Sequence, residues 1–85
     1  MERAYLVVPF ERIGITIGPR QAFVFGKVAE ARALAQKMAS HCAGVALLER
    51  QVDPDTGDGK DTLIAGIGAV PPSFPDAGIW SMRLS

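Results

Sequence analysis

Residues 27–42 constrain the fold most, because they form a long stretch without glycine or proline in which nonpolar residues recur with helical spacing. Five of these residues are alanine, the best helix former. Acidic Glu30 near the start and basic Lys37 and His41 near the end suit the helix dipole. Gly44 is predicted to stop the helix. The nonpolar residues that share one face of this helix are Val28, Ala31, Leu34, Ala35, Met38 and Cys42.

Three short segments before this helix have the character of strands. Residues 4–8 are nonpolar and rich in β-branched and aromatic types, and Pro9 is expected to mark the end of that strand or an edge position. Residues 13–17 alternate isoleucine with small or polar residues, which predicts a half-buried strand broken by a turn at residues 18–19. Residues 22–25 either pair with that strand or lead straight into the helix.

Two further strands are predicted after the helix. Residues 45–52 begin with nonpolar residues on both faces, which is typical of a central strand. Residues 53–61 are a dense cluster of turn formers, and the chain returns in a strand over residues 62–70. Gly66 and Gly68 are two residues apart and share a face, so we expect the helix or a ligand to approach them closely.

These elements predict an α+β fold, a two-layer sandwich in the order β-(β)-β-α-β-β. One main helix, about residues 27–42, covers a mainly antiparallel sheet of three to five strands. The length of 85 residues fits one domain, which we place at residues 1–72. Residues 73–85 are then a C-terminal tail that packs on the domain or on a partner. The sheet face away from the helix is solvated, covered by the tail, or paired with a second subunit.

Charge and cysteine content narrow the classes of partner. Nine basic and nine acidic residues cancel, so the chain lacks the basic footprint of a nucleic-acid binder. A net charge near zero gives little electrostatic protection against self-association, which favours a homodimer or another protein as the partner. A single cysteine forms no internal disulfide, and neither a signal peptide nor a run of about 20 nonpolar residues is present. We therefore expect a cytoplasmic protein that has no contact with a membrane.

The acidic loop over residues 53–61 does not match a calcium-binding loop. Counting from Asp53, a glycine falls at the fifth position rather than the sixth, and the flanking segments are strands. The loop is interpreted as a hydrophilic hairpin connection. Gly66 and Gly68 lack the third glycine and the following helix of a dinucleotide fingerprint.

Ser40, His41 and Cys42 bring three reactive side chains together in sequence. Adjacent residues on a helix point about 100° apart, so they do not form a nucleophile–base pair. His41 is the single histidine, and a metal site would need ligands from elsewhere. We predict a helix ending here, with Cys42 as a small core residue, and no catalytic, metal-binding or cofactor-binding residue.

Two resemblances to binding families are incomplete. Arg20 and the residues Phe23, Val24 and Phe25 resemble an aromatic strand that stacks RNA bases, but Gln21 stands where an aromatic residue is required. The stretch over residues 25–38 and 44–48 resembles half of a peptidoglycan-binding sporulation-related repeat domain. That family requires a second strand and helix, whereas this chain has one helix, so we assign no family.

The C-terminal tail is the predicted interface. Residues 70–75 resemble a proline-rich recognition segment, or alternatively form a cap over nonpolar sheet surface. A lone tryptophan near a terminus often anchors an interface. The candidate interface residues are Phe74, Ile79, Trp80 and Met82.

Two functions from different classes follow from these observations. We expect a small non-enzymatic module that acts through protein–protein interaction or self-association. The alternative is a small-molecule binder or minimal enzyme with a surface or dimer-interface site near Gly66 and Gly68. Its polar candidates are Arg20, Arg50, Asp61 and His41.

Overall fold

A computed structural model describes residues 2–71, in which one helix packs on an open, antiparallel five-stranded sheet. This confirms the predicted α+β class and the predicted order of elements. The elements are β1 (Glu2–Ile13), β2 (Thr16–Pro19), β3 (Phe23–Phe25), α1 (Val28–Met38), β4 (Gly44–Val52) and β5 (Gly59–Gly68).

The strands are arranged in the order β2-β1-β4-β5, and β3 pairs with β1 on the same edge as β2. β1 and β4 pair along nine residues, from Glu2 opposite Val52 to Phe10 opposite Gly44. β1, the longest strand, and β4, whose first five residues are all buried, therefore form the centre of the sheet, as the sequence of β4 predicts. β5 is the last strand on the other side within the described residues.

The core is divided between the two faces of the sheet. The helix face carries one buried cluster, and the other face, here called the open face because α1 does not cover it, carries a second. Even-numbered residues of β1 and β4 point to the open face and odd-numbered residues to the helix face. The helix-face cluster comprises Val7, Ala31, Ala35, Val45 and Leu47. The open-face cluster comprises Leu6, Val8, Phe10, Ala46 and Leu48.

The predicted helix is present but shorter than its nonpolar stripe. Its two buried residues are Ala31 and Ala35, whose small side chains let the helix lie close to β1 and β4. It ends at Met38 instead of near residue 42, and Gly44 begins β4 rather than stopping the helix. The Ser40 hydroxyl donates to the Lys37 carbonyl, a competing local bond of the kind that ends helices.

The prediction of a strand over residues 13–17 was wrong. Gly14 and Ile15 are the two loop residues of a hairpin that joins β1 to β2. Gly14 has a φ of +64°, a backbone conformation that favours glycine and that tight hairpin loops require. The turn predicted at residues 18–19 lies inside β2 instead. Residues 23–25 form the short strand that leads into the helix, one of the two alternatives.

Pro9 lies inside β1 rather than at its end. It stands opposite Val45 on β4, and its carbonyl accepts a bond from the Arg20 amide on the other side. The amide and carbonyl of a strand residue point to the same edge, so the missing N–H of Pro9 faces the gap between β2 and β3. Proline is tolerated here because no ladder bond is required at that gap.

Gly44 and Gly68 stand opposite each other where the β4–β5 ladder ends. A Cβ atom on Gly68 would lie 2.6 Å from the Ala43 carbonyl oxygen, and one on Gly44 would lie 2.5 Å from that of Ala69. The predicted approach of the helix to Gly66 and Gly68 was wrong. Gly66 stands opposite Ala46 on the open face, so its nearest neighbour is Val70 and not α1.

The described part of the chain contains no helix with the length and hydropathy needed to cross a membrane. The candidate interface residues Phe74, Ile79, Trp80 and Met82 lie outside the described residues, as does the predicted domain boundary.

Replacing Gly68 with alanine is expected to destabilise the protein more than replacing Gly57. Both glycines have positive φ, but a Cβ on Gly57 meets open space. Gly57→Ala is expected to cost about 1–2 kcal/mol for the left-handed backbone alone. Gly68→Ala should cost at least ~1 kcal/mol more because a methyl group overlaps the Ala43 carbonyl. Urea denaturation measures both, and equal losses would contradict the close approach.

Candidate functional site

One exposed nonpolar surface of the described chain is the outer side of β5, here called the β5 margin. It consists of the outer edge of the strand and the nonpolar side chains of Leu63, Ile64 and Ile67. These three side chains are 38–40% exposed. Within residues 2–71 no strand pairs with this edge, so it offers backbone donors and acceptors beside nonpolar side chains.

The position of the helix explains why β5 is left uncovered. α1 packs mainly on β1, β4 and β3, and of these only β4 is a neighbour of β5. A helix is about 10–12 Å wide and strands lie about 4.8 Å apart, so one helix covers about two strands. Ala65 is the β5 residue that packs against the helix-face cluster, and Ile67 remains at the border.

A shallow cleft separates α1 from β5 on the helix face. Its volume is about 50 Å³, which is room for ordered water or one small side chain. Leu47, Ala65 and Ile67 form its floor, and Arg32 and Gln36 on the helix form its wall. The cleft is therefore too small for a metabolite, but its nonpolar floor continues into the β5 margin.

The β5 margin carries no charge over residues 62–68. Exposed edge strands are commonly protected by lysine or other charged side chains, and none is present in this stretch. The strand contains one irregularity, because Ile64 has no residue opposite it where the register shifts between Leu47 and Leu48. Such a bulge bends an edge locally and displaces the following side chains.

Arg50 and Asp61 form a bidentate ion pair across β4 and β5. The guanidinium Nε and Nη2 atoms donate to the two carboxylate oxygens at 2.7 and 2.8 Å, and both side chains are mostly buried. The hydrogen bond to Asp61 raises the pKa of Arg50 above its ordinary value. Because its pKa is raised, Arg50 keeps its positive charge at every pH at which proteins are ordinarily handled.

The polar residues predicted around Gly66 and Gly68 occupy separate places. Arg50 and Asp61 bind each other, and Asp61 lies five residues from Gly66, or about 16 Å along the strand. Arg20 pairs with Glu11 at 3.4 Å on the other side of the sheet. His41 follows the end of the helix and is exposed. Apart from the Arg50–Asp61 pair, the structure does not bring these side chains together.

An open recess of about 330 Å³ lies near Gly66, and the described residues that line it are nonpolar. They are Ile15, Ile17, Ala69, Val70 and Pro71. Ligand sites combine a nonpolar lining with a few converging polar groups. The side chains described here supply nonpolar contact alone.

The acidic loop uses its side chains to hold its own backbone. The Asp53 carboxylate accepts from the Asp55 amide at 2.9 Å, and the Thr56 hydroxyl accepts from the Asp58 amide at 3.2 Å. The Asp53 carbonyl accepts from the Gly57 amide, which closes the turn. This is the hydrophilic hairpin connection that the sequence predicts. Among residues 2–71 no three His, Cys, Asp or Glu side chains are grouped to hold a metal ion.

Ser40, His41 and Cys42 follow the helix and point apart. The Ser40 hydroxyl is bonded to the Lys37 carbonyl, and Cys42 packs against the helix-face cluster. Cys42 is therefore partly buried at the border of the core, and not fully buried within it as a core residue would be.

No protein-family model matches the chain, and the searches of curated proteins and of solved structures found no significant match.

Sequence reasoning missed the β5 margin. It identified the strand but concentrated on the small residues of one face, and the strand order was not predictable. The available signal was the uncharged run over residues 62–68 in a strand that follows a hairpin.

A double-mutant cycle on Arg50 and Asp61 is expected to give a coupling energy of about 1 kcal/mol. Single alanine variants and the double variant are compared by their free energies of unfolding in urea. Arg50→Lys should recover less than half of the coupling, because lysine cannot make two parallel hydrogen bonds.

The same cycle on Arg20 and Glu11 is the matched control. That pair is longer and about half exposed, so no measurable coupling is expected. Equal coupling in the two pairs would show that the bidentate geometry is not what stabilises the β4–β5 ladder.

Proposed function

We propose that this chain is a small protein-binding module that acts through the β5 margin, and that its first partner is a second copy of itself. The observation that carries the proposal is a ten-residue edge strand with three exposed nonpolar side chains and no charge over residues 62–68. Edge strands of this kind bind by adding a strand, with main-chain hydrogen bonds giving affinity and side chains giving specificity.

A second copy suits this edge for reasons of charge and symmetry. Most homodimers have a twofold axis, which places the same surface opposite itself. A charged edge would repel its own copy, whereas residues 62–68 meet their copy without charge. The net charge of zero adds no long-range repulsion between the two molecules.

The nonpolar side chains add contact area on both faces of such a joined sheet. Ile67 stands opposite Val45 and so lies on the helix face, next to the cleft under α1. Leu63 stands opposite Leu48 and so lies on the open face. Burying these residues would therefore stabilise the paired edges on both the helix face and the open face of the sheet.

A lysine at Ile67 is expected to weaken self-association by roughly tenfold or more, because it places two like charges at the twofold interface. Sedimentation equilibrium over a range of protein concentrations gives the dissociation constants. Ile64→Lys tests the same margin at the bulge.

The matched control is Ile15→Lys, which adds the same charge at a residue that is 97% exposed in the hairpin loop between β1 and β2, outside the β5 margin. It should leave association unchanged. Circular dichroism confirms that each variant is folded. A wild-type chain that stays monomeric at every concentration, or a loss of association with Ile15→Lys as large as with Ile67→Lys, would contradict the proposal.

A further inference from the structure

The open face of the sheet is buried, although no helix or strand of residues 2–71 lies over it. Leu6, Val8, Phe10, Ala46 and Leu48 are each 0–1% exposed. All five strands belong to the sheet itself, and α1 packs on the other face. No described helix or strand therefore accounts for the burial of these five nonpolar side chains.

The described residues that contact this cluster are too few to cover it. They are the partly buried side chains of Ile17, Ala22 and Val70. Ile17 lies on β2 opposite Arg12, beyond the end of the cluster at Phe10. Val70 follows β5 and lies beside Gly66, 3.7 Å from where its Cβ would be. Both lie at the border of the cluster, and Ala22 adds one small side chain, so these three residues do not cover all five members of the cluster.

The described chain ends on this same face. The Val70 amide donates to the Gly68 carbonyl, and this turn places Val70 against the open-face cluster. The next residue, Pro71, is the last described one, so the chain continues from the border of the buried surface. This continuity favours the following residues of this chain over a second copy as the cover.

The segment that follows has the length and composition required. Fourteen residues remain, which span at most about 46–50 Å when extended, whereas the sheet is about 15–20 Å across. Five large nonpolar residues are distributed along this segment: Phe74, Ile79, Trp80, Met82 and Leu84.

We propose that residues 72–85 cover the open face of their own chain, with their nonpolar side chains packed on the cluster around Phe10 and Leu48. This segment is then the second layer opposite α1. The proposal is independent of pairing at the β5 margin, because it concerns a face and not an edge of the sheet.

Trp80 is the single tryptophan and reports on this cover directly. In the 85-residue chain its fluorescence is expected to be shifted to the blue of free tryptophan and protected from acrylamide. Both properties should be unchanged on dilution, because the cover is intramolecular. Ready quenching at all concentrations would overturn the proposal, and protection that disappears on dilution would show that a second copy provides the cover.

Leu48→Ala and Leu47→Ala provide a matched pair of variants. The two leucines are neighbours on β4, both are at most 2% exposed, and they point to the open face and the helix face respectively. Leu48→Ala should shift the Trp80 emission to the red and raise the acrylamide quenching constant, whereas Leu47→Ala should leave both close to wild type.

If either alanine variant fails to fold, as judged by circular dichroism, Leu48→Val and Leu47→Val replace them. Equal effects of the two positions on Trp80 would overturn the proposal. Sedimentation of the same samples separates this result from the association at β5, since Trp80 can be protected in a chain that is monomeric.

Discussion

The central strands β1 and β4 carry nonpolar residues on both faces, and the rest of the structure depends on this constraint. Residues 44–48 have no polar side chain and are all buried. Such a strand cannot lie at an edge or face water on one side, so it needs a neighbour on each edge and a layer on each face. The helix supplies one layer through Ala31 and Ala35. β1 and β5 pair with the two edges of β4, and β2 and β3 pair with the other edge of β1.

The parts of the fold that depend on long, strongly periodic segments could be predicted from the sequence. The helix, β4 and β5 belong to this group, because each has its own hydrophobic pattern. The hairpin at Gly14 could not be predicted, since Ile13, Ile15 and Ile17 alternate as a single strand would. The alternation continues through the two-residue turn, and only the positive φ of Gly14 distinguishes the two structures.

The position of Pro9 and the exposure of β5 depend on tertiary arrangement and have no local signal. Pro9 is accommodated inside β1 because β2 and β3 leave a gap there, which requires knowing that both pair with the same edge. The sequence predicted an interface at Phe74, Ile79, Trp80 and Met82, which lie outside the described residues, and it did not predict the β5 margin. A strand reveals that it is an edge only when its neighbours are known, so the β5 margin required the structure.

One helix does not cover the whole of a sheet of this width. In the described chain it leaves the open face and the outer edge of β5 uncovered, and Gly68 lies where these two surfaces meet. At this residue the chain leaves the β4–β5 ladder, held by the bond from the Ala69 amide to the Ala43 carbonyl. Its positive φ turns Val70 onto the open face instead of extending β5 farther along the edge. β5 therefore ends where Gly44 begins β4, and the residues that follow start on the face that lacks a helix. At Val70 the described chain therefore lies on the open face and not along the outer edge of β5, which is the edge at which we propose that a partner binds.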